Sequence, residues 1–196
     1  MRSDVSRLLL ETSDTLRTIS QGSYSTSVEE ALDLLERSFR AGRTLLAFGN
    51  GGSSADAQHL CAELVGRFLL DRRALPAVAL TTNQALLTAW SNDCRFEDIF
   101  ARQIEGLGRP GDVAWGISTS GNSDNVVNGL RRAREMGLST IGLTGAEGGR
   151  VAEHCDVLMA VPLRQTPRIQ EVHLVTFHAI CGALEQRLFG QPSSAS

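Results

Sequence analysis

"AFGNGGSSADAQHLCAELVGRF", Ala47–Phe68, decides the fold. An apolar run ends in "GNGGSS" and a helical pattern follows at once, so the stretch reads as strand, tight polar loop and helix. The same grammar recurs along the chain. "TLLAFG", "AVALT", "VAWGIST", "STIGLTG" and "VLMAVPL" are apolar runs bounded by Gly, Pro, Asp or Asn, each the length of a buried strand. The segments between them are long enough for crossover helices, such as Asp124–Met136 with Gly137 as its stop. This alternation predicts an α/β fold, a parallel sheet of five strands covered by helices on both faces in a three-layer αβα sandwich.

Upstream, Val5, Leu8, Leu9, Leu16 and Ile19 follow helical spacing and form one apolar stripe. "QGSYSTS" interrupts it. Ser27 and Glu30 then make an S-x-x-E capping box, expected to open a second amphipathic helix that Gly42 closes. The apolar faces of residues 1–42 must be buried, either on their own domain or on a second subunit. At the other end, Thr166 is expected as N-cap and Pro167 in the first turn of a helix reaching about Phe189, before a polar, disordered tail at 190–196. No internal repeat or linker divides residues 1–196, which read as a single domain.

The bulk numbers remove several classes of function. With 42% hydrophobic and 21% charged residues the chain is an ordinary globule, and a net charge of -3 gives no basic surface for nucleic acid. No run has the length of a membrane span, and "LLL" at Leu8–Leu10 is too short for a signal peptide core. Cys61, Cys94, Cys155 and Cys181 are scattered without a CxxC pair, as expected of reduced thiols in the cytoplasm.

Ligands of open α/β sheets sit beyond the carboxyl ends of the strands, and two such ends here are polar. "GNGGSS" follows the first strand and "STSGNS", Ser118–Ser123, follows the third. A dinucleotide fingerprint would need a glycine at Ser54, and a Walker loop would need a lysine that neither loop has. What remains is a neutral cradle of amides and of the hydroxyls of Ser118, Thr119, Ser120 and Ser123, suited to a phosphate monoester. In the helix after the first loop, His59 and Glu63 stand four residues apart on one face, among the apolar Leu60, Ala62, Leu64 and Val65. The pair reads either as a surface contact or as part of a cleft. His178 lies in the last apolar helix, where position alone reads as a satisfied core histidine, and Gln170 as a first-turn polar residue.

Together, "GNGGSSADAQHLCAELVGRF", "PAVALTT…SND", "GDVAWGISTSGNS", "GLTGAEGGR" and "TPRIQEVHLVTFH" resemble the sugar isomerase (SIS) domain, and within it the phosphoheptose isomerases. The resemblance implies isomerisation of sedoheptulose 7-phosphate to D-glycero-D-manno-heptose 7-phosphate. It implies a substrate site of Asn50, Gly51, Gly52, Ser53, Asn92, Asp93, Ser118, Thr119, Ser120 and Ser123, joined by Glu63 and Gln170. It further implies zinc held by His59, Glu63, Gln170 and His178, proton transfer by Glu63 and His178, and a homotetramer. Some members carry an aspartate where this chain has Pro167, so no role of that aspartate transfers.

Gln170 and His178 are eight residues apart, about 12 Å of helical rise, whereas metal–ligand bonds are about 2 Å. A site using all four implied ligands should therefore draw on more than one subunit. Two other readings stand beside the enzyme: a non-catalytic SIS tetramer that binds the replication initiator, and an isomerase of another sugar phosphate. Glu63 and His178, both present, favour an enzyme.

Overall fold

A computed structural model describes residues 4–190. Helices α1 (Asp4–Ile19) and α2 (Ser23–Arg40) lead into five strands, β1 (Leu45–Gly49), β2 (Ala77–Ala79), β3 (Val113–Ser118), β4 (Ser139–Thr144) and β5 (Val157–Ala160). All pair in parallel in the order β2-β1-β3-β4-β5. The crossovers are α3 (Gly52–Val65), α4 (Gln84–Asp93), α5 (Ile99–Leu107) and α6 (Asp124–Glu135), and the long α7 (Thr166–Phe189) ends the fold. The expected parallel sheet is therefore present, with five strands where the five apolar runs lie.

Alternate residues of β1 explain the two covering layers. Leu45 and Ala47 face a core shared with Trp115, Leu143 and Phe177, to which α2, α3 and α7 contribute. Leu46 and Phe48 face the opposite core, with Phe100, Val126 and Leu130 from α5 and α6. Burial on both faces is why the strands read as continuous apolar runs. β2 departs from this. It is a three-residue edge strand whose Val78 is exposed, and edge strands are commonly short.

Helix ends differ from the sequence reading in two places. Ser27 and Glu30 do not cap α2, which already begins at Ser23 after Gly22. The reason is tertiary: the Tyr24 ring is buried and its hydroxyl meets that of Thr176 at 2.7 Å, which draws "YSTS" into the helix. Thr166 is the first residue of α7, and Gln165 occupies the cap position. Gly42 and Gly137 do end their helices, with φ of +70° and +78°. The polar tail expected at 190–196 lies, apart from Gly190, outside the described residues. Among the described residues no helix is long and apolar enough to cross a membrane.

The core histidine is His173, not His178. It is fully buried on α7 and its Nε2 donates to the Thr144 carbonyl at 3.2 Å, while Nδ1 has no described partner. Burial depresses its pKa from 6.5 to about 4, partly offset by that hydrogen bond. The folded state thus favours the neutral ring. Its contribution is full above pH 6.5 and is lost as pH falls toward 4, amounting to about 3 kcal/mol. Urea unfolding of wild type and His173→Leu at pH 7, 5.5 and 4 should show the wild type losing stability faster on acidification; parallel curves would refute the assignment.

Candidate active site

The strand order places the candidate loops together. From β1 the chain runs outward to β2, then returns to the other side of β1 as β3, so a topological switch point lies between β1 and β3. Gly49 pairs with Ile117, which brings "GNGGSS" and "STSGNS" out side by side. Asn50 is fixed by a reciprocal amide pair with Asn125, at 2.8 and 2.9 Å, across the mouth of this crevice. Gly51 takes φ +54° at the N-cap of α3, Gly52 is exposed, and Ser53 turns inward and is buried. A side chain at Gly52 would collide with the carboxamide of Gln170, so α7 closes against this first loop.

The second loop is built around its hydroxyls. Ser118 Oγ lies 3.0 Å from Ser123 Oγ and 3.5 Å from Ser120 Oγ, and the Asn122 amide donates to Ser120 Oγ at 3.1 Å. Ser123 is the N-cap of α6 yet makes no capping bond, because its hydroxyl is turned to Ser118. The start of α6 therefore carries no side-chain cap, which leaves its first amides available to an anion. A third segment walls it in. Gly121 has φ +65°, and any Cβ there would strike the Gly148 carbonyl, so "GAEGG" packs directly on the loop. The adjoining cavity is lined by Thr119, Ser120 and Asn122 on one side and Glu147 and Arg164 on another.

Below the first loop, α3 and α7 bring three further candidates together. His59 Nε2 lies 2.9 Å from Glu63 Oε1 and 3.4 Å from His178 Nε2. The three ligand atoms lie within 4.8 Å of one another. The helix is less buried than its apolar flanks suggested: Ala62 and Val65 are exposed and Glu63 is half-buried, which leaves the cluster open to solvent. Burial lowers the His178 pKa and the neighbouring His59 lowers it further, against a smaller opposing pull from Glu63. A neutral imidazole is the ligand form. Tetrahedral zinc with bonds of about 2.0–2.1 Å sets neighbouring donor atoms about 3.3 Å apart, close to the spacing of this two-nitrogen, one-oxygen set. His59, Glu63 and His178 fit a metal.

Gln170, two turns before His178 on a continuous α7, lies at Gly52 instead. The three clustered groups thus meet within one chain and need no second subunit, whereas a site that also used Gln170 still would. Asn92 and Asp93 end α4, exposed, with Asn92 donating to Asp93 at 2.8 Å, and beyond that pair neither bonds another candidate residue among those described. Sequence reasoning missed Asn125 and Asp56. Asp56 precedes His59 by one turn on α3, and its Oδ2 is buried without a described partner. Burial raises its pKa to about 6, with His59 pulling the other way. Its i, i+3, i+7 spacing with His59 and Glu63 was the available signal.

Comparison with known proteins agrees with this geometry. The SIS domain family model matches residues 10–145. Phosphoheptose isomerase of Synechocystis sp. is 53% identical over 171 residues, 87% of this chain and 88% of that protein. That of Geotalea daltonii is 55% identical over 167 residues, 85% of this chain and 87% of that protein. The structure of phosphoheptose isomerase from Neisseria gonorrhoeae superposes with a TM-score of 0.87 at 39% identity, covering 93% of this chain and 97% of that one. With the crevice, the cradle and these likenesses in hand, the chain belongs to the phosphoheptose isomerase family of SIS-domain proteins.

Proposed function

We propose that the chain is an aldose–ketose isomerase converting sedoheptulose 7-phosphate to D-glycero-D-manno-heptose 7-phosphate through an enediol. The observation that carries this is the juxtaposition of Glu63 and His178, 3.4 Å or less from their common neighbour His59, on α7 and on the helix that follows the first candidate loop. Ser118, Thr119, Ser120 and Ser123 hold the phosphate, and Asn50, Gly51, Gly52, Ser53, Asn92, Asp93 and Gln170 hold the sugar. Binding energy from the phosphate end orients the reacting carbons. Glu63 takes the proton from C1 and returns it to C2. Its Oε1 contacts His59, and Oε2 accepts no hydrogen bond from a described residue, leaving it for the carbon acid. His178 gives a proton to O2 as the enediol forms and takes one from O1 as it collapses.

His59, Glu63 and His178 would hold zinc, one per subunit, with Gln170 completing the set only from another position or another subunit. Bound there, the ion supplies Lewis-acid stabilisation of the substrate oxygens. Residues 1–196 act as a single SIS domain in a cytoplasmic homotetramer without nucleic-acid or membrane partners. The support for assembly is apolar exposure: Val5, Leu8, Leu9 and Leu10 on α1 are solvent-facing, as are Leu174 and Val175 on α7. Four free thiols support a reducing compartment.

Incubation with sedoheptulose 7-phosphate should yield the aldose, and Glu63→Gln or His178→Ala should lower kcat by about 10²–10⁴-fold. Wild type no better than the two variants would favour the initiator-binding scaffold, and faster turnover of a shorter sugar phosphate would shift the substrate. Metal analysis should find one zinc per chain, and chelation should abolish turnover until zinc is returned; undiminished activity in metal-free protein would remove the ion from the reaction. Sedimentation should give a particle of four 21.1 kDa chains, and a fully active monomer would refute the assembly.

A further inference from the structure

Two turns beyond His178, α7 carries Glu185, which is 1% exposed. Its carboxylate accepts the backbone N–H groups of Phe68, Leu69 and Leu70 at 2.8, 2.7 and 2.8 Å and the Nε–H of Arg72 at 2.9 Å. The Arg72 side chain, 2% exposed, turns the other way. It donates to the carbonyls of Glu63 and Leu64, each at 2.7 Å, and to that of Arg73 at 3.1 Å. The last turn of α3 has no basic residue of its own, so Arg72 supplies the positive charge its C-terminal carbonyls favour. Segment 66–72 is thus wound around one buried ion pair.

What that segment delivers is Phe68. Its ring stacks on the His178 imidazole at 5.4 Å between centroids and 29° between planes, and it lies across Gly182, where an added Cβ would be 3.5 Å from the ring. His178, Gly182 and Glu185 share one face of α7 by their i, i+4, i+7 spacing. The pair therefore grips the backbone of one member of the cluster, Glu63, and through Phe68 limits the ring of another, His178.

We propose that Arg72 and Glu185 form a clasp that, through Phe68, sets His178 against His59 and Glu63, making all three positioning residues for the reaction. This rests on the isomerase reading, but its structural half does not: the clasp fixes the spacing of a metal-ligand set whether or not that set turns over a heptose. Buried charge pairs contribute little net stability, and their partners here are the helix end and the loop that frame the cluster. The phosphate cradle, beyond the carboxyl end of the central strand β3, shares no partner with the clasp among the described residues.

The test uses Phe68→Leu, which leaves the ion pair intact, Arg72→Lys, which keeps charge without the fork, and Phe68→Tyr, which keeps the ring. Cobalt(II) is titrated into metal-free protein and read by its visible absorption, alongside kcat, KM and Tm. Phe68→Leu and Arg72→Lys should weaken cobalt binding and lower kcat by about 10–100-fold while KM moves less than about twofold, and Phe68→Tyr should restore both. A folded Phe68→Leu variant with wild-type cobalt affinity and kcat overturns the proposal, even where Arg72→Lys fails to fold. Wild type inert toward sedoheptulose 7-phosphate would instead defeat the isomerase reading, and the cobalt comparison would still decide the clasp.

Discussion

Because β1 is bonded to β2 along one edge and to β3 along the other, the chain departs from two neighbouring strands toward opposite faces of the sheet. α3 leaves β1 for the face that holds α7, and α6 leaves β3 for the face that holds α5. Their first turns diverge from a single point and leave a gap between them. Two helix N-termini then converge on that gap with free amides and no lysine or arginine in either loop. On the proposed reading, dipoles and hydroxyls would hold a doubly charged ester end there without a cationic side chain from either loop.

α7 converts this crevice into a site with two ends. Its Gln170 meets the first loop at Gly52, its His178 meets His59, and its Glu185 meets Arg72 just below Glu63 and Leu64. Positions 52, 59 and 63 of α3 thus match positions 170, 178 and 185 of α7 in the same direction. The two helices therefore run in the same direction, side by side, and meet at these three levels. Seven residues of α3 and eight of α7 separate the first two levels, about 10.5 and 12 Å of rise, so the two helices keep nearly equal steps along this contact.

The features legible in sequence are those that local chemistry decides. Strands buried on both faces announce themselves as apolar runs, and the loops at their ends by glycine and serine. Where a distant partner decides, the reading fails. Tyr24 joins α2 because Thr176, 152 residues away, receives its hydroxyl. His173 and His178 occupy the same apolar helix, and only the fold shows that the first points at the Thr144 carbonyl and the second at His59. Arg72 in "DRRAL" and Glu185 in "ALEQR" look like ordinary surface charges in sequence. Their separation of 113 residues hides a pairing with no local signal.

The choice of an ion pair at that point follows from backbone accounting. α3 ends with carbonyls of Glu63 and Leu64 that have no intrahelical partner, and segment 66–72 turns three N–H groups inward. Both sets are satisfied by this pair, and a group left buried without a partner costs about 1–3 kcal/mol. An apolar pair would leave the Glu63 carbonyl and the three N–H groups without these bonds, while the Leu64 carbonyl would keep only the Leu75 N–H at 3.0 Å. Only a carboxylate can accept all three inward N–H groups, and only a guanidinium can then bridge from it to the helix end through separate nitrogens. The same bonds that settle the backbone therefore fix the distance between the two helices that carry His59, Glu63 and His178, so geometry at the cluster follows from a requirement of folding.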